Sequence, residues 1–567
     1  MRNLLLLDWI RAMGERRRTH WVADFETTTT ADDCRIWVWG IVNLDSRLSL
    51  GDVQWDTSMD SFVDECKQRN SVVYFHNLAF DGSFILDWLF RNGYTHTGDR
   101  PGKRQFATLI SNMGKFYSMT VQWDNGKTTE FRDSLKKLPF SAANVAKAFK
   151  LEETKGEIDY DAPRPVGYVP SPAEIDYLAR DIIIIAKAMK TQLDAGMNKL
   201  TVGADSLAEF KAITGKKLYD KMFPVLPASM DAEIRAAYRG GFAYADKRFA
   251  GKPTGPGRVY DVNSLYPSVM YDELLPYGEP VYCDGLPEVS ELYPLFIVSI
   301  TFTAKLKPDH IPCIQVKGSS FFLATEYQRN IKEPVTMTCT NVDLDLWNDH
   351  YDMDILSYNG GWQFMGIHDV FNDFIDKWMH IKATSDGGMR VLAKLQLNSL
   401  YGKFATNPDV TPKIPIMEDN HVKLVTGDPE SRDPIYTALG VFITAYARDK
   451  TIRAAQTHYD TFAYADTDSL HLLIAEDSNQ LDIHPSNLGA WKFEYAFQSG
   501  LFIQAKRYSE QLADGSYVTH VAGLPEKIAH QLTFEDFSNG KRFAGKLVPR
   551  RVPGGIVLED VGFTFGG

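Results

Sequence analysis

Residues 464–469 read YADTDS, an apolar, strand-like run (Phe462, Ala463, Tyr464) that ends in two carboxylates, Asp466 and Asp468. Aspartate is a poor strand former, and converging carboxylates repel and raise one another's pKa values. Such an ending has two readings. The pair makes a turn, or it is half of a metal site whose other half lies elsewhere in the chain. The second reading constrains the fold strongly, because a distant strand must then end beside this one. DVNSLYPSVM (261–270) supplies such an end: Asp261 closes the apolar strand RVYD, and a helix is expected from about Pro267. A strand places residues i and i+2 on one face, so Asp466 and Asp468 can present their carboxylates together across a tight turn. Carbonyls freed where a strand ends, such as that of Val262, can also face an ion. Magnesium prefers oxygen and takes one or two protein carboxylates plus substrate phosphates. Two such ions about 4 Å apart can activate a 3′-hydroxyl and clamp a leaving pyrophosphate.

A triphosphate needs cations. The breaker-free stretch MRVLAKLQLNSLY puts Arg390, Lys394, Leu397 and Tyr401 on one helical face. Two cations and a ring on that face read either as a solvated amphipathic surface or as a nucleotide contact. Gly387-Gly388 just upstream suits a hinge.

A second acidic set lies near the N-terminus. DFETTT (24–29) puts Asp24 and Glu26 on one strand face, HNLAFDGSF (76–84) spaces Asn77 and Asp81 by one helical turn, and YLARD (177–181) does the same for Tyr177 and Asp181. Each pair alone reads as solvated surface or a cap. Together they supply four carboxylates and a tyrosine, the set needed for two-metal hydrolysis of a phosphodiester with Tyr177 orienting the water.

A chain of 567 residues is too long for one core. Strands and helices alternate to about residue 200, with a helix expected over 177–197, which suggests an α/β domain. A loop at 157–172 interrupts it, and GKPTGPG (251–257) makes a junction. Residues 273–369 are aromatic and proline-punctuated, 373–404 read as helical, 407–430 as an exposed β-hairpin, and the last hundred as strand-rich. The net charge of −12, from 73 acidic and 61 basic residues, counts mildly against a nucleic-acid binder, and the motifs outweigh it. Five cysteines without a CxxC argue against zinc or iron–sulfur centres and for a reducing cytoplasm. MRNLLLLDWIRAMGERRR is too short and charged for a signal peptide or membrane span and reads as an amphipathic helical extension. No GxxxxGK[ST] loop is present, hence no sign of an ATP-driven motor.

DVNSLYPSVM, KLQLNSLYGKF and YADTDS resemble, in order, the three polymerase motifs of family B DNA polymerases. The likeness is to the protein-primed, strand-displacing bacteriophage enzymes of the phi-twenty-nine type. DFETTT, HNLAFDGSF and YLARD resemble the Exo I, Exo II and Exo III motifs of proofreading polymerases. The resemblance implies α/β and α+β architecture: a ribonuclease-H-like 3′–5′ exonuclease domain, then a right-hand polymerase. The expected boundaries are 1–200 for the exonuclease (1–19 being an extension), 201–272 and 431–522 for the palm, 273–369 for a TPR1 insertion, 370–406 for the fingers, 407–430 for a TPR2 insertion and 523–567 for the thumb.

It also implies roles. Asp261, Val262 and Asp468 would bind the polymerase metals, with Asp466 supporting. Val262, Tyr266, Lys382, Arg390, Lys394, Asn398 and Tyr401 would meet the nucleotide, Tyr266 excluding a 2′-hydroxyl. Asp24, Glu26, Asp81 and Asp181 would bind the exonuclease metals, assisted by Tyr177 and by Lys155 of ETKGEIDY. His76, Asn77, Phe80, Ser134 and Leu135 would hold the frayed strand. Tyr238, Gly240 and Gly241 of YRGGF would touch the template, and Lys506 and Tyr508 of AKRYSE the primer end. The implied cofactor is Mg2+, two ions per site, with Mn2+ able to substitute. The implied partners are primer–template DNA, dNTPs, a terminal priming protein and a single-strand-binding protein. The setting would be a monomer, without a membrane span, in the cytoplasm of an infected bacterium.

Overall fold

The computed structural model describes residues 18–316, 326–476, 480–529, 531–537 and 542–564. The N-terminal extension therefore lies outside the described residues up to Arg17. No described helix is long and apolar enough to cross a membrane.

Residues up to Asp194 build an eight-stranded mixed sheet in the order Gln54–Asp56, Ile36–Asn43, Thr19–Thr27, Ser71–Phe75, Thr128–Asp133, Phe116–Gln122, Gln105–Ile110, Thr95–His96. Ser71–Phe75 pairs in parallel on both sides, and all five of its residues are buried, as an apolar central strand requires. The helix expected over 177–197 runs instead over Pro172–Asp194. Ser171 caps it with a reciprocal Glu174 capping box, Pro172 sits in its first turn, and it stops before Gly196, whose φ is positive. Its buried Ile182–Ile185 run faces protein on all sides.

A second, five-stranded antiparallel sheet holds Asp261 and Asp466 at strand ends. Its order is Trp491–Phe497, Gly257–Val262, Ser469–Leu472, Phe462–Asp466, Ala243–Ala245. The helices Leu265–Asp272 and Thr437–Thr457 pack together against it. The first of these starts two residues before Pro267, from a left-handed Ser264. The strands Leu275–Cys283, Tyr351–Ile367, Leu295–Leu306 and Asn330–Thr340 form a four-stranded antiparallel sheet in that order, with the helix Asn341–His350 beside it. The helical region resolves into Asn372–Thr384 and Gly387–Phe404.

The 407–430 segment is a hairpin, Lys413–Glu418 with His421–Thr426, but it is not free in solvent. Val422 is 2% exposed and belongs to the same core as Phe84, Ile556 and Val557. Arg91 donates to the Asn420 side chain at 2.9 Å and to its carbonyl at 3.0 Å. The C-terminal hairpin Leu547–Val552/Gly555–Asp560 docks alongside it. There Gly554 N donates to Asp87 and Arg551 to Ser83.

Gly387 and Gly388 do not form a free hinge. A Cβ on Gly388 would stand 2.5 Å from the Phe149 ring, so the glycine lets the following helix press onto the N-terminal domain. Lys150 donates to Asp386 at 2.6 Å at the same junction.

Candidate active sites

In the N-terminal domain, alternation along Thr19–Thr27 turns Phe25 into the core against Phe62 and Phe75 and leaves Asp24 and Glu26 on the other face. Asp81 projects from the helix Leu78–Arg91 and Asp181 from Pro172–Asp194 into the same cleft of about 690 Å³. The C-terminal hairpin, through Leu547, Ile556, Val557 and Leu558, closes one side of it. Burial first, and then the neighbouring carboxylates, raise Asp24 to about 7 and push Glu26 and Asp81 well above the usual carboxylate range. Lys155, from a loop, donates to Asp181 at 2.6 Å. Burial opposes its charge, but the bond and charge of Asp181 outweigh that and raise it.

Oδ1 of Asp81 and Oδ1 of Asp181 are buried without a hydrogen-bond partner. Such oxygens are costly, and a hard cation satisfies them, so this donor set fits divalent metal. The carboxylates do not close a cage. Among the described residues no group of three or more His, Cys, Asp or Glu stands ready to hold an ion alone. Magnesium completes its shell with water and substrate phosphates. Tyr177 is 4% exposed, and its hydroxyl lies 2.8 Å from that of Tyr160. Burial, then that bond, then Glu26 and Asp181 raise its pKa, so it stays a phenol able to donate to water.

The expected strand-holding residues divide. His76, Asn77 and Phe80 line the cleft. Ser134 does not: it is fully buried, donating to the Phe75 carbonyl and bonded to His76 Nδ1 at 3.0 Å, while His76 Nε2 donates to the Phe140 carbonyl. The structure thus makes Ser134 a support for His76 rather than a surface contact, and Leu135 also stands outside the cleft lining. Asp133, which the sequence reading missed, accepts from the backbone N–H groups of Asn77 and Leu135 at 3.0 Å each, and so joins the two segments. Tyr160 was missed as well. Neither carries a sequence signal apart from being a polar residue beside a motif.

In the five-stranded sheet Asp261 faces Ser469 across the ladder, and Val262 N donates to the Asp468 carbonyl at 2.9 Å. The two strand ends, 207 positions apart (468 − 261), are therefore immediate neighbours. Burial, then Asp468 and Glu494, raise Asp261 to about 7, and burial followed by Asp466 and Glu494 raises Asp468. Simple alternation of Asp466 and Asp468 does not hold. Between them Thr467 sits at φ 63°, a genuine outlier for a β-branched residue. Its backbone is pinned by bonds from its N–H to the Phe242 carbonyl and from Thr451 Oγ1 to its own carbonyl. Asp466 turns toward Lys506, which donates to both of its oxygens at 2.7 and 2.9 Å. Tyr508 is 8% exposed, its ring packed 4.7 Å from that of Tyr464, so it supports the Lys506 turn from below.

Above this floor, the Tyr266 and Tyr401 rings stack at 3.7 Å. On the helix Gly387–Phe404, Arg390, Lys394 and Asn398 are exposed, whereas Leu397 turns into the core, 1% exposed. Lys382 donates to Ser264 at 3.1 Å, and its carbonyl accepts from Arg390. Burial, then Lys394 and Arg390, lower the Lys382 pKa, which marks a cation cluster in want of an anion.

The YRGGF loop is fastened from behind. Arg448 donates to the carbonyls of Arg239 and Gly240 and to the buried Asp343 at 2.6 Å. Tyr238 is half-buried beside Tyr266 and Tyr401. At Gly241 a Cβ would fall 2.6 Å from Thr467 Oγ1, whereas at Gly240 it would meet nothing within 4 Å. Gly241→Ala is therefore expected to displace the strained Thr467 turn and slow primer extension about tenfold to a hundredfold. Gly240→Ala should lose several-fold less. Single-turnover extension rates check both.

This geometry has close relatives. A family model described as DNA polymerase type B, organellar and viral, matches residues 63–169 and 164–484. The DNA polymerase of Bacillus phage phi29 is 42% identical over 579 residues, covering 97% of this chain and 100% of the relative. A solved structure of phi29 DNA polymerase complexed with primer-template DNA and incoming nucleotide substrates matches with TM-score 0.92 at 41% identity, covering 97% of this chain and 100% of that one.

The chain belongs to the phi29-type family B DNA polymerases.

The fold of this polymerase is an exonuclease domain followed by palm, fingers and thumb. The five-stranded sheet carries the Asp261–Asp468 pair, and the helix pair Asn372–Thr384/Gly387–Phe404 carries the cations Lys382, Arg390 and Lys394.

Proposed function

We propose that this family B polymerase is protein-primed, processive and strand-displacing, that it proofreads with a 3′–5′ exonuclease, and that it copies a linear phage genome in the cytoplasm of the infected bacterium. One observation carries the reading: two carboxylates, Asp261 and the Asp468 that raises its pKa, lie side by side on the five-stranded sheet, which we read as the palm, with the cation cluster of the helix pair Asn372–Thr384/Gly387–Phe404, which we read as the fingers, reaching Ser264 beside them.

In synthesis, a primer 3′-hydroxyl attacks the α-phosphorus of a dNTP and pyrophosphate leaves. Lys382, Lys394 and Arg390 bind the triphosphate, and Asn398 and Tyr401 shape the nascent pair. Tyr266, held flat against Tyr401, denies room for a 2′-hydroxyl. Lys506, neutralised by Asp466, borders the primer end. Asp261, Asp468 and the Val262 carbonyl would hold magnesium, which would supply positive charge for phosphoryl transfer. In the exonuclease cleft, Asp24, Glu26, Asp81 and Asp181 hold the ions, Tyr177 orients water and Lys155 stands at the scissile phosphate. His76, Asn77 and Phe80 hold the frayed strand, with manganese able to replace magnesium at both centres.

The partners follow: primer–template DNA, dNTPs, a terminal protein whose hydroxyl accepts the first nucleotide, and a single-strand-binding protein. The 275–367 sheet is the TPR1 insertion that docks the terminal protein. The 413–426 hairpin is the TPR2 insertion that, with the terminal hairpin, encloses DNA. The test is extension on a singly primed circular template with Mg2+ and dNTPs, with no helicase or clamp. The expected products exceed one circle. Replacing Lys413–Thr426 with a short Gly–Ser linker is expected to cut product length to less than one circle while leaving addition of the first few nucleotides within about threefold. Equal product lengths would remove the hairpin from the mechanism.

A further inference from the structure

We propose that Lys492 is a further nucleotide-binding residue: it pairs with Glu494 beside Asp261 in the metal-free protein and turns to the triphosphate of the incoming nucleotide when Asp261 takes magnesium. The inference rests on the polymerase reading above.

The palm floor shows why. In the antiparallel ladder between Trp491–Phe497 and Gly257–Val262, Lys492 stands directly opposite Asp261. Directly opposed residues share a face, with Cβ atoms about 5 Å apart. Glu494, two residues along the same strand, projects to that face too, and Lys492 Nζ bonds its Oε1 at 2.8 Å. Reading across the sheet, the charges run Lys492 and Glu494, then Asp261, then Asp468, then Asp466 with Lys506. The two lysines neutralise the outer carboxylates and leave the central pair without a paired cation. Lys506 is committed to both oxygens of Asp466. Lys492 makes a single contact with Glu494, and both side chains are near 40% exposed, which leaves it free to move.

Lys492 also reaches the opposite camp. Its charge acts on Asp261 favourably and on the fingers lysine Lys382 unfavourably. It is therefore within electrostatic reach of both Asp261 and Lys382. A nucleoside triphosphate bridging those two residues passes within reach of its ammonium. Once divalent charge neutralises Asp261, Lys492 is repelled from the carboxylates and attracted to the phosphates, and both changes point the same way. A lysine suits this role because its ammonium is a compact charge on a flexible stem.

The prediction is a pair of opposite shifts, which a merely structural lysine would not produce. Ternary complexes are assembled without chemistry, using the full chain, a dideoxy-terminated primer whose last linkage is a phosphorothioate, template and the next dNTP. Complex retained in a gel is measured against dNTP and against Mg2+. Lys492→Ala is expected to raise the half-saturating dNTP concentration about tenfold, the loss of one charge-assisted phosphate contact. The same variant should lower the half-saturating Mg2+ concentration several-fold, because a cation standing opposite Asp261 is gone. Lys492→Arg should keep dNTP binding within about twofold, and Lys492→Met should behave as alanine does. Both constants within twofold of wild type, or both rising together, would overturn the role of Lys492. A wild type that forms no Mg2+-dependent complex with dNTP would instead remove the polymerase reading on which it rests.

Discussion

Asp468→Asn is expected to abolish primer extension, by about a thousandfold or more, while the same protein still degrades a single-stranded 3′ end at its normal rate. The size follows from the chemistry. Asp261 and Asp468 are neighbouring carboxylates of the five-stranded sheet, and metal charge at the reacting oxygens accounts for several kcal/mol of barrier in phosphoryl transfer, where about 4 kcal/mol is a factor of a thousand. Asparagine keeps the shape and removes the charge. Asp261→Asn should behave alike and carries a second signature in stability. Its carboxyl is raised to about 7 in the fold against 3.8 for a free aspartate. The unfolded chain therefore ionises first, and the charge destabilises the metal-free fold progressively as pH rises from about 4 to about 7. Removing that charge should raise the melting temperature of metal-free protein at pH 8 and leave it unchanged near pH 3.5. A protein that loses activity by misfolding would shift the other way. A nuclease whose C-terminal half merely binds DNA would keep all activity in either variant.

Asp24→Asn combined with Asp81→Asn is expected to produce the mirror result. Degradation of a single strand falls about a thousandfold, and extension of a matched primer stays within about twofold. The sites share no side chain, the one built on the eight-stranded sheet and the other on the five-stranded sheet. Metal and pH give an independent check. Asp24, raised to about 7 by burial and then by Asp181, must lose its proton to hold a cation. Magnesium should therefore raise the melting temperature of the wild type more at pH 8 than at pH 6, and a chelator should reverse it. The double variant should lose most of that response and melt higher than wild type in chelator at pH 8. An unchanged Mg2+ response would show that these carboxylates are not the ligands.

Much of both sites was legible because local rules decide it. Asp24 and Glu26 share a face because strands alternate, and Asn77 and Asp81 or Tyr177 and Asp181 are neighbours because helices repeat every 3.6 residues. Those arguments need only a few residues of context, and the structure gathers Asp24, Glu26, Asp81, Asp181, Lys155 and Tyr177 into one cleft. The same rules misled where the backbone left its regular path. Thr467 in the left-handed region breaks the alternation of Asp466 and Asp468. Gly387-Gly388 reads as flexibility, but serves a close approach to Phe149. The 413–426 hairpin reads as exposed from its polar composition, yet Val422 is buried beneath it. Ser134 and Tyr508 lie inside motif-like stretches but face inward.

The amino-acid sequence by itself determined which charges stand at strand ends and which cations and rings share a helix face, because side-chain chemistry and the two backbone periods are local. Tertiary structure alone decided which of those charges remain without a counterion. Lys506 is set against Asp466, Lys492 against Asp261 and Glu494, and Gly241 against Thr467 by ladder registers and loop docking between segments up to more than two hundred residues apart. Register is fixed by packing summed over whole sheets, so no short stretch of the chain contains it.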